Sequence, residues 1–374
     1  QKASMVYSEK EATPLRIGVI GCGCIGCEHL RNLHLVEGAR VTAIADPHHA
    51  SLLTASAILS TQGRVICGRS TDGANDVEAF ASSSALLASP RIDAVIVCTP
   101  NDDHRAMLRA VAASGKHCLV EKPLCIDVAG CAEAEELAAE AAAIAHAAGR
   151  AAPIFWCGME YRYVPTIARL IEEAESGVVG ALRMLSIREH RFPFLHKVSN
   201  WNRFSARTGG TLVEKCCHFF DLMRRILRDE PRSIVAAGGQ DANHLIEGEQ
   251  GPRADVLDNA YVLVEFRRGA RACLELCMFA EASKHQEEIS LVGSCGKLEA
   301  FAPSHGTRTD EACLINFRRG VRSAALSAPN WHSAEPPAPD ECGTLLEEHV
   351  AIEARLLQAG NHAGATYVSR SRFT

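Results

Sequence analysis

The stretch Arg16-Ile17-Gly18-Val19-Ile20-Gly21-Cys22-Gly23-Cys24-Ile25-Gly26 decides the fold. An apolar run of strand length leads into three glycines spaced G-x-G-x-x-G, and an amphipathic stretch at 25–36 follows. Each glycine has its own physical role. Gly21 allows a tight turn, Gly23 lets a pyrophosphate approach the backbone, and Gly26 lets helix pack on strand. The helix start adds unpaired N–H groups and a partial positive charge for phosphate oxygens. Asp46 follows Gly26 by 20 residues, at the end of the next apolar run. A carboxylate there meets the adenosine ribose hydroxyls and repels a 2′-phosphate. The stretch therefore reads as a dinucleotide turn made by Gly21, Gly23, Cys24, Ile25, Gly26 and Asp46, with NAD preferred to NADP. The plain alternative is a glycine turn between packed elements, and the strand, helix and acid in register argue against it. Cys22, Cys24 and Cys27 have no converging fourth ligand, so no metal is expected there.

Outward from this turn, apolar runs at 16–20, 41–45, 65–67, 94–98, 117–120 and 154–158 alternate with helical stretches at 25–36, 48–60, 77–88, 102–114 and 128–148. Such alternation is the mark of a parallel sheet covered by helices. The second half changes character. Helices are expected at 164–176, ending at Gly177 as a C-cap, and at 212–228. Strands are expected at 181–189, 233–237, 259–266, 270–279, 287–292 and 297–301, in hairpin order, as in an antiparallel sheet with one face exposed. Residues 302–340 read as peripheral, and 345–359 as a last amphipathic helix.

The 374 residues, 47% of them hydrophobic and 22% charged, exclude bulk disorder. At roughly 150 residues per domain they suggest two, placed at 14–158 and 159–374. No run reaches the roughly 18 uncharged apolar residues of a membrane span. With 39 basic and 45 acidic residues and no basic stripe, neither nucleic acid nor a membrane is an expected partner. The 16 cysteines accompany no secretory signal, so they read as reduced thiols in the cytoplasm.

In a doubly wound sheet, ligands sit outside the carboxyl ends of the strands. There the chain places Thr99, Pro100, Asn101 and His104 after one run, and Glu121 and Lys122 after another. An ammonium at Lys122 would stabilise developing alkoxide charge; a solvated surface lysine is the bland alternative. The stretch 191–207, RFPFLHKVSNWNRFSAR, offers Trp201 and Arg203 to a polyol, or else serves as a surface loop. Tyr161 and Arg162 follow the sixth run, where they close the pocket or pack against the nucleotide domain.

The fragments GCGCIG, Ala45-Asp46-Pro47, Thr99-Pro100-Asn101-x-x-His104 and Glu121-Lys122-Pro123 stand in the order and spacing of the Gfo/Idh/MocA family, the glucose–fructose oxidoreductase and inositol dehydrogenase relatives. The resemblance continues through Glu160-Tyr161-Arg162-Tyr163-Val164-Pro165 and Gly209-Gly210-Thr211 to His218-Phe219-Phe220-Asp221. It implies a Rossmann domain followed by an α/β domain whose open, mainly antiparallel sheet builds a homodimer or homotetramer. It also implies reversible hydride transfer between NAD(P) and a sugar or cyclitol hydroxyl. By resemblance, Lys122 is the active-site lysine and His218 the proton acceptor, which also touches substrate.

Family members carry Asp four residues before that histidine, in the pattern Asp-x-Gly-x-His, whereas this chain reads Glu214-Lys215-Cys216-Cys217-His218. On one helix, i, i+4 spacing would put Glu214 and His218 on one face, with Glu214 orienting the imidazole or binding a substrate hydroxyl. A zinc site at Cys216, Cys217 and His218 is disfavoured because adjacent helical ligands diverge by about 100°. Relatives run on past 345–359 with a further strand and a closing helix, whereas this chain stops at Thr374. Two other classes stay open: an NAD-using glycosidase or epimerase with no net redox change, and a non-catalytic NAD or sugar sensor. Release of free sugar without NADH marks the first; tight binding without turnover marks the second.

Overall fold

The computed structural model describes residues 13–67, 76–246, 253–303, 317–322, 343–351 and 365–371. Its first sheet is parallel throughout and runs β3-β4-β2-β1-β5-β6-β7. The strands are β1 (Leu15–Ile20), β2 (Ala39–Ala45), β3 (Val65–Cys67), β4 (Asp76–Phe80), β5 (Ala94–Val97), β6 (His117–Val120) and β7 (Phe155–Cys157). Helices α1 (Cys24–Leu33), α2 (His49–Thr61), α3 (Ser83–Leu87), α4 (His104–Ser114) and α5 (Val128–Ala147) connect them. A strand covered on both faces carries no polar alternation, and every residue of β5 is buried. The chain leaves β1 towards β2 and returns to β5 on the other side of β1. The topological switch therefore opens at the carboxyl ends of β1 and β5, where dinucleotides bind.

The second sheet runs β15-β14-β13-β12-β8-β11-β10-β9. It is built from β8 (Leu182–His190), β9 (Pro231–Gly239), β10 (Asn259–Phe266), β11 (Arg271–Cys277), β12 (His285–Gly293), β13 (Gly296–Pro303), β14 (Phe317–Val321) and β15 (Thr344–Glu348). In β10 the inward residues Ala260, Val262, Val264 and Phe266 are buried, while the residues between them are exposed. Against the inner face pack α6 (Pro165–Ser176) and α9 (Cys217–Leu227), through Ile167, Leu170, Phe219, Leu222 and Ile226. Gly177 caps α6 in the left-handed region, φ 77°. Shorter helices α7 (Ser205–Thr208), α8 (Thr211–Glu214) and α10 (Asn243–Ile246) complete this half, and a final helix, α11 (Ala365–Ser371), returns to pack against α1.

The α/β architecture is as expected, and four local expectations are corrected. Residues 77–88 do not form one helix: β4 extends the sheet beside β2, and α3 begins only where the Ser82 hydroxyl caps it by accepting from Ala85 N. The helix expected at 212–228 breaks at Lys215–Cys216 into α8 and α9. Residues 344–348 form an edge strand on β14, held by an Arg318–Glu347 cross-strand ion pair at 2.7 Å; residues 352–364 lie outside the described residues. Within the stretch read as peripheral, Phe317 is fully buried in the core; residues 304–316 and 323–340 lie outside the described residues. The second sheet is mainly antiparallel, as expected, with β11 and β8 its parallel pair. Among the described residues no helix is long and apolar enough to cross a membrane.

Candidate active site

The dinucleotide turn has the shape its glycines predict. Gly21 adopts φ +91°, and a Cβ there would fall 2.6 Å from the Cys98 carbonyl oxygen. A Cβ on Gly26 would lie 1.9 Å from the Gly21 carbonyl, whereas one on Gly23 would meet open space. Only glycine permits the first two contacts, and the third leaves the approach that a pyrophosphate needs. Gly23 caps α1 without a side-chain hydrogen bond, so the first-turn N–H groups stay available for an anion. At the end of β2 the Asp46 carboxylate accepts from Cys22 N and His48 N, each at 2.7 Å. These residues fit a dinucleotide. Burial, then Asp46, pushes the Cys22 thiol up to about 12, so this sulfur is a buried neutral group.

The other strand ends converge beside this turn. Cys24, Ile25, Glu121, Lys122, Tyr161, Glu214 and His218 line one cleft. Glu121 sits 2.7 Å from His29 Nε2. Lys122 Nζ donates to the Glu214 carbonyl at 3.0 Å and lies 3.9 Å from Glu214 Oε1. Burial alone would lower the Lys122 pKa, but Glu214, Glu160 and Glu121 outweigh it and hold the ammonium above its ordinary value. Burial likewise pushes Glu214 up, and Lys122, Lys197 and the Asn101 amide overcome it, so the carboxyl sits below its usual range. Asn101 Nδ2 donates directly to this carboxylate.

Glu214 thus faces the lysine, and the broken helix explains why: α8 ends at Glu214 and α9 starts at Cys217, so the two do not share one helical face. The carboxylate found at the imidazole is Glu160, with Oε1 3.5 Å from His218 Nε2. The imidazole stacks on Tyr161, 4.2 Å between centroids and 9° between planes.

Other expected contacts lie elsewhere. His104 is fully buried beneath the loops, 2.8 Å from the Pro123 carbonyl and 3.2 Å from the Thr99 carbonyl. Burial lowers its pKa, and its two ring nitrogens face the carbonyls of two different strand-end loops. Arg162 turns away from the cleft to pair with Asp221 through both carboxylate oxygens. Arg203 lines a neighbouring small cavity and donates to the Phe194 carbonyl. Trp201 is buried beside the cleft, and Lys197 projects in over it, Nζ 4.5 Å from the indole centroid and 3.6 Å from Glu214 Oε1. Among the cleft residues that the sequence reading did not single out are Glu160, Lys197 and Lys215. Glu160 follows the end of β7, so the strand-end rule that singled out Lys122 applied to it as well.

A parallel doubly wound sheet with this turn, opening on a cleft that holds an ammonium and an imidazole, defines a dinucleotide-binding oxidoreductase. The family description "Oxidoreductase family, NAD-binding Rossmann fold" matches residues 15–148, and "Oxidoreductase family, C-terminal alpha/beta domain" matches residues 171–316. The chain belongs to the Gfo/Idh/MocA oxidoreductase family. It is 28% identical over 339 residues to a myo-inositol 2-dehydrogenase of Thermotoga maritima, covering 87% of this chain and 90% of that one. It is 30% identical over 351 residues to an inositol 2-dehydrogenase of Ralstonia nicotianae, covering 88% and 93%. An oxidoreductase domain protein from Kribbella flavida shares the fold with a TM-score of 0.70 at 20% identity, over 95% of this chain and 88% of that one.

Proposed function

We propose that this chain oxidises a secondary hydroxyl of a cyclitol or sugar and uses NAD in preference to NADP. The observation that carries the reading is the meeting of Lys122, from the end of β6, and His218, from the start of α9, in one cleft with Cys24 and Ile25 of the dinucleotide turn. The names of the inositol dehydrogenase relatives support a cyclitol. The placement of Asp46 beside Cys22 N supports NAD.

NAD, when bound, supplies the hydride acceptor. Lys122 stays charged because of Glu214, so it can orient the substrate oxygen and stabilise the negative charge that develops there. His218 accepts the hydroxyl proton, a role suited to an imidazole near neutral pH. Glu160, beside Nε2, offsets the charge that the ring then carries. Gly21, Gly23 and Gly26 shape the turn, Asn101 holds Glu214, and Glu121 is fixed by His29. We place the domain boundary at 158/159, after β7, and propose that the outer face of the second sheet joins subunits.

The test is NADH formation across inositols, aldoses and anhydrosugars, with NADP run in parallel. Reduction of NAD by at least one polyol is expected, faster than reduction of NADP. No reduction with any substrate contradicts the reading, and faster NADP reduction contradicts the role of Asp46. Substrate conversion without NADH accumulation would instead favour a reaction with no net redox change.

A further inference from the structure

Behind the imidazole of His218 lies a set of charged side chains that the proposed chemistry leaves unused. Glu189 on β8 and Glu287 on β12 stand directly opposite each other across antiparallel strands, and both are buried. Like charges in that arrangement are destabilising, and burial adds to the cost. Lys215, only 5% exposed, offsets them. Its Nζ lies 2.9 Å from Glu189 Oε1 and donates to Tyr161 Oη at 2.6 Å. Tyr161 Oη in turn donates to Glu287 Oε1 at 3.0 Å, and Gln286 donates to the same oxygen. Arg191 closes the set, 3.3 Å from Glu189 Oε1.

The phenol hydroxyl is therefore held on both its donor and its acceptor side, from β12 and from the junction of α8 and α9. One face of the ring so fixed carries the stacked imidazole, and Phe219 meets the ring at 72° with centroids 5.7 Å apart. The terminal torsion of a histidine has broad preferences, so the plane of the imidazole must be set by its neighbours. The helix break accounts for the arrangement, because it turns Glu214 towards Lys122 and lets the next residue, Lys215, reach Tyr161.

We propose that Tyr161 is a positioning residue: its ring, pinned at the hydroxyl by Lys215 and Glu287, is the platform that sets the plane of the His218 imidazole. The proposal rests on His218 being the proton acceptor of the reaction proposed above. It recasts Tyr161, expected from sequence to touch substrate, as a residue that acts through another.

Two variants and one background test it. Tyr161→Phe keeps the ring and loses the pins, so kcat should fall about threefold to tenfold, the worth of ordinary hydrogen bonds. Tyr161→Leu removes the platform and should lower kcat about 100-fold, as a misplacement near 1 Å does, with the KM for NAD unchanged. In a His218→Gln background Tyr161→Leu should cost nothing further, because the two residues act as a unit. An equal loss in both backgrounds overturns the proposal.

A second readout needs no turnover. The His218 Cε1–H resonance, assigned by its absence in His218→Gln, should lie upfield under the stacked phenol and move downfield in Tyr161→Leu. A resonance that does not move also overturns the proposal. Should the wild type reduce NAD with no polyol, the functional reading fails, and the resonance still decides whether the platform exists.

Discussion

Two carboxylates in the cleft divide the work at the level of single residues, and one substitution separates them. Glu214 keeps Lys122 charged against its burial, while Glu160 accompanies His218. In Glu214→Gln the largest of the anionic contributions that raise the Lys122 pKa is gone, and desolvation then weighs more heavily against Glu160 and Glu121. The alkaline limb of kcat/KM should therefore move to lower pH, and a limb that stays in place contradicts the assignment. Stability follows the same sign. A lysine whose folded pKa lies above its unfolded value of about 10.4 contributes fully below that value and loses the contribution as pH rises through the folded one. Lys122 was legible in sequence because it directly follows an apolar run, and His218 because of the motif around it. Glu160 was open to the same strand-end rule, but its pairing with His218 and the role of Lys215 were not legible, since their partners are reached only through the tertiary fold: Glu160 comes off β7 and His218 off α9, and Lys215 meets strands β8 and β12 through Glu189 and Tyr161.

Among elements, the parallel strands were readable wherever both faces are buried, since a continuous apolar run has no competing pattern. The segment at 77–88 misled because its charged and small residues suit a helix, and only the free edge of β2 makes its first part a strand. The segment at 344–348 misled for the same reason, because its partner β14 lies in a stretch with no apolar periodicity of its own. Pairing partners override local propensity in edge strands. The outer face of the second sheet was expected to be exposed, and it presents Val235 and Leu263 opposite each other on β9 and β10, with Tyr261 beside them 65% exposed. This patch is the surface that the proposed subunit contact would bury. Replacing Leu263 and Tyr261 together by Asp should convert the assembly to monomers in light scattering while NAD binding survives. A wild type that is already monomeric contradicts the subunit proposal.

At the level of the molecule, the site exists because two sheets of different construction bring their ends together. The first supplies the dinucleotide turn, Lys122 and, through the turn after β7, Glu160; the second, through α9 packed on it, supplies His218. α11 completes the wall, with Thr366 donating to Glu28 of α1 across 338 positions of sequence. In the proposed reaction Lys122 acts on the reacting oxygen and leaves cofactor binding to the glycine turn, and the rest of the chemistry depends on that division. It is tested by comparing NAD affinity and polyol turnover in the wild type and in Lys122→Met. Equal NAD affinity is expected, with a fall in kcat of at least about 100-fold, as for loss of a group that stabilises developing charge. Turnover in Lys122→Met equal to that of the wild type would contradict it.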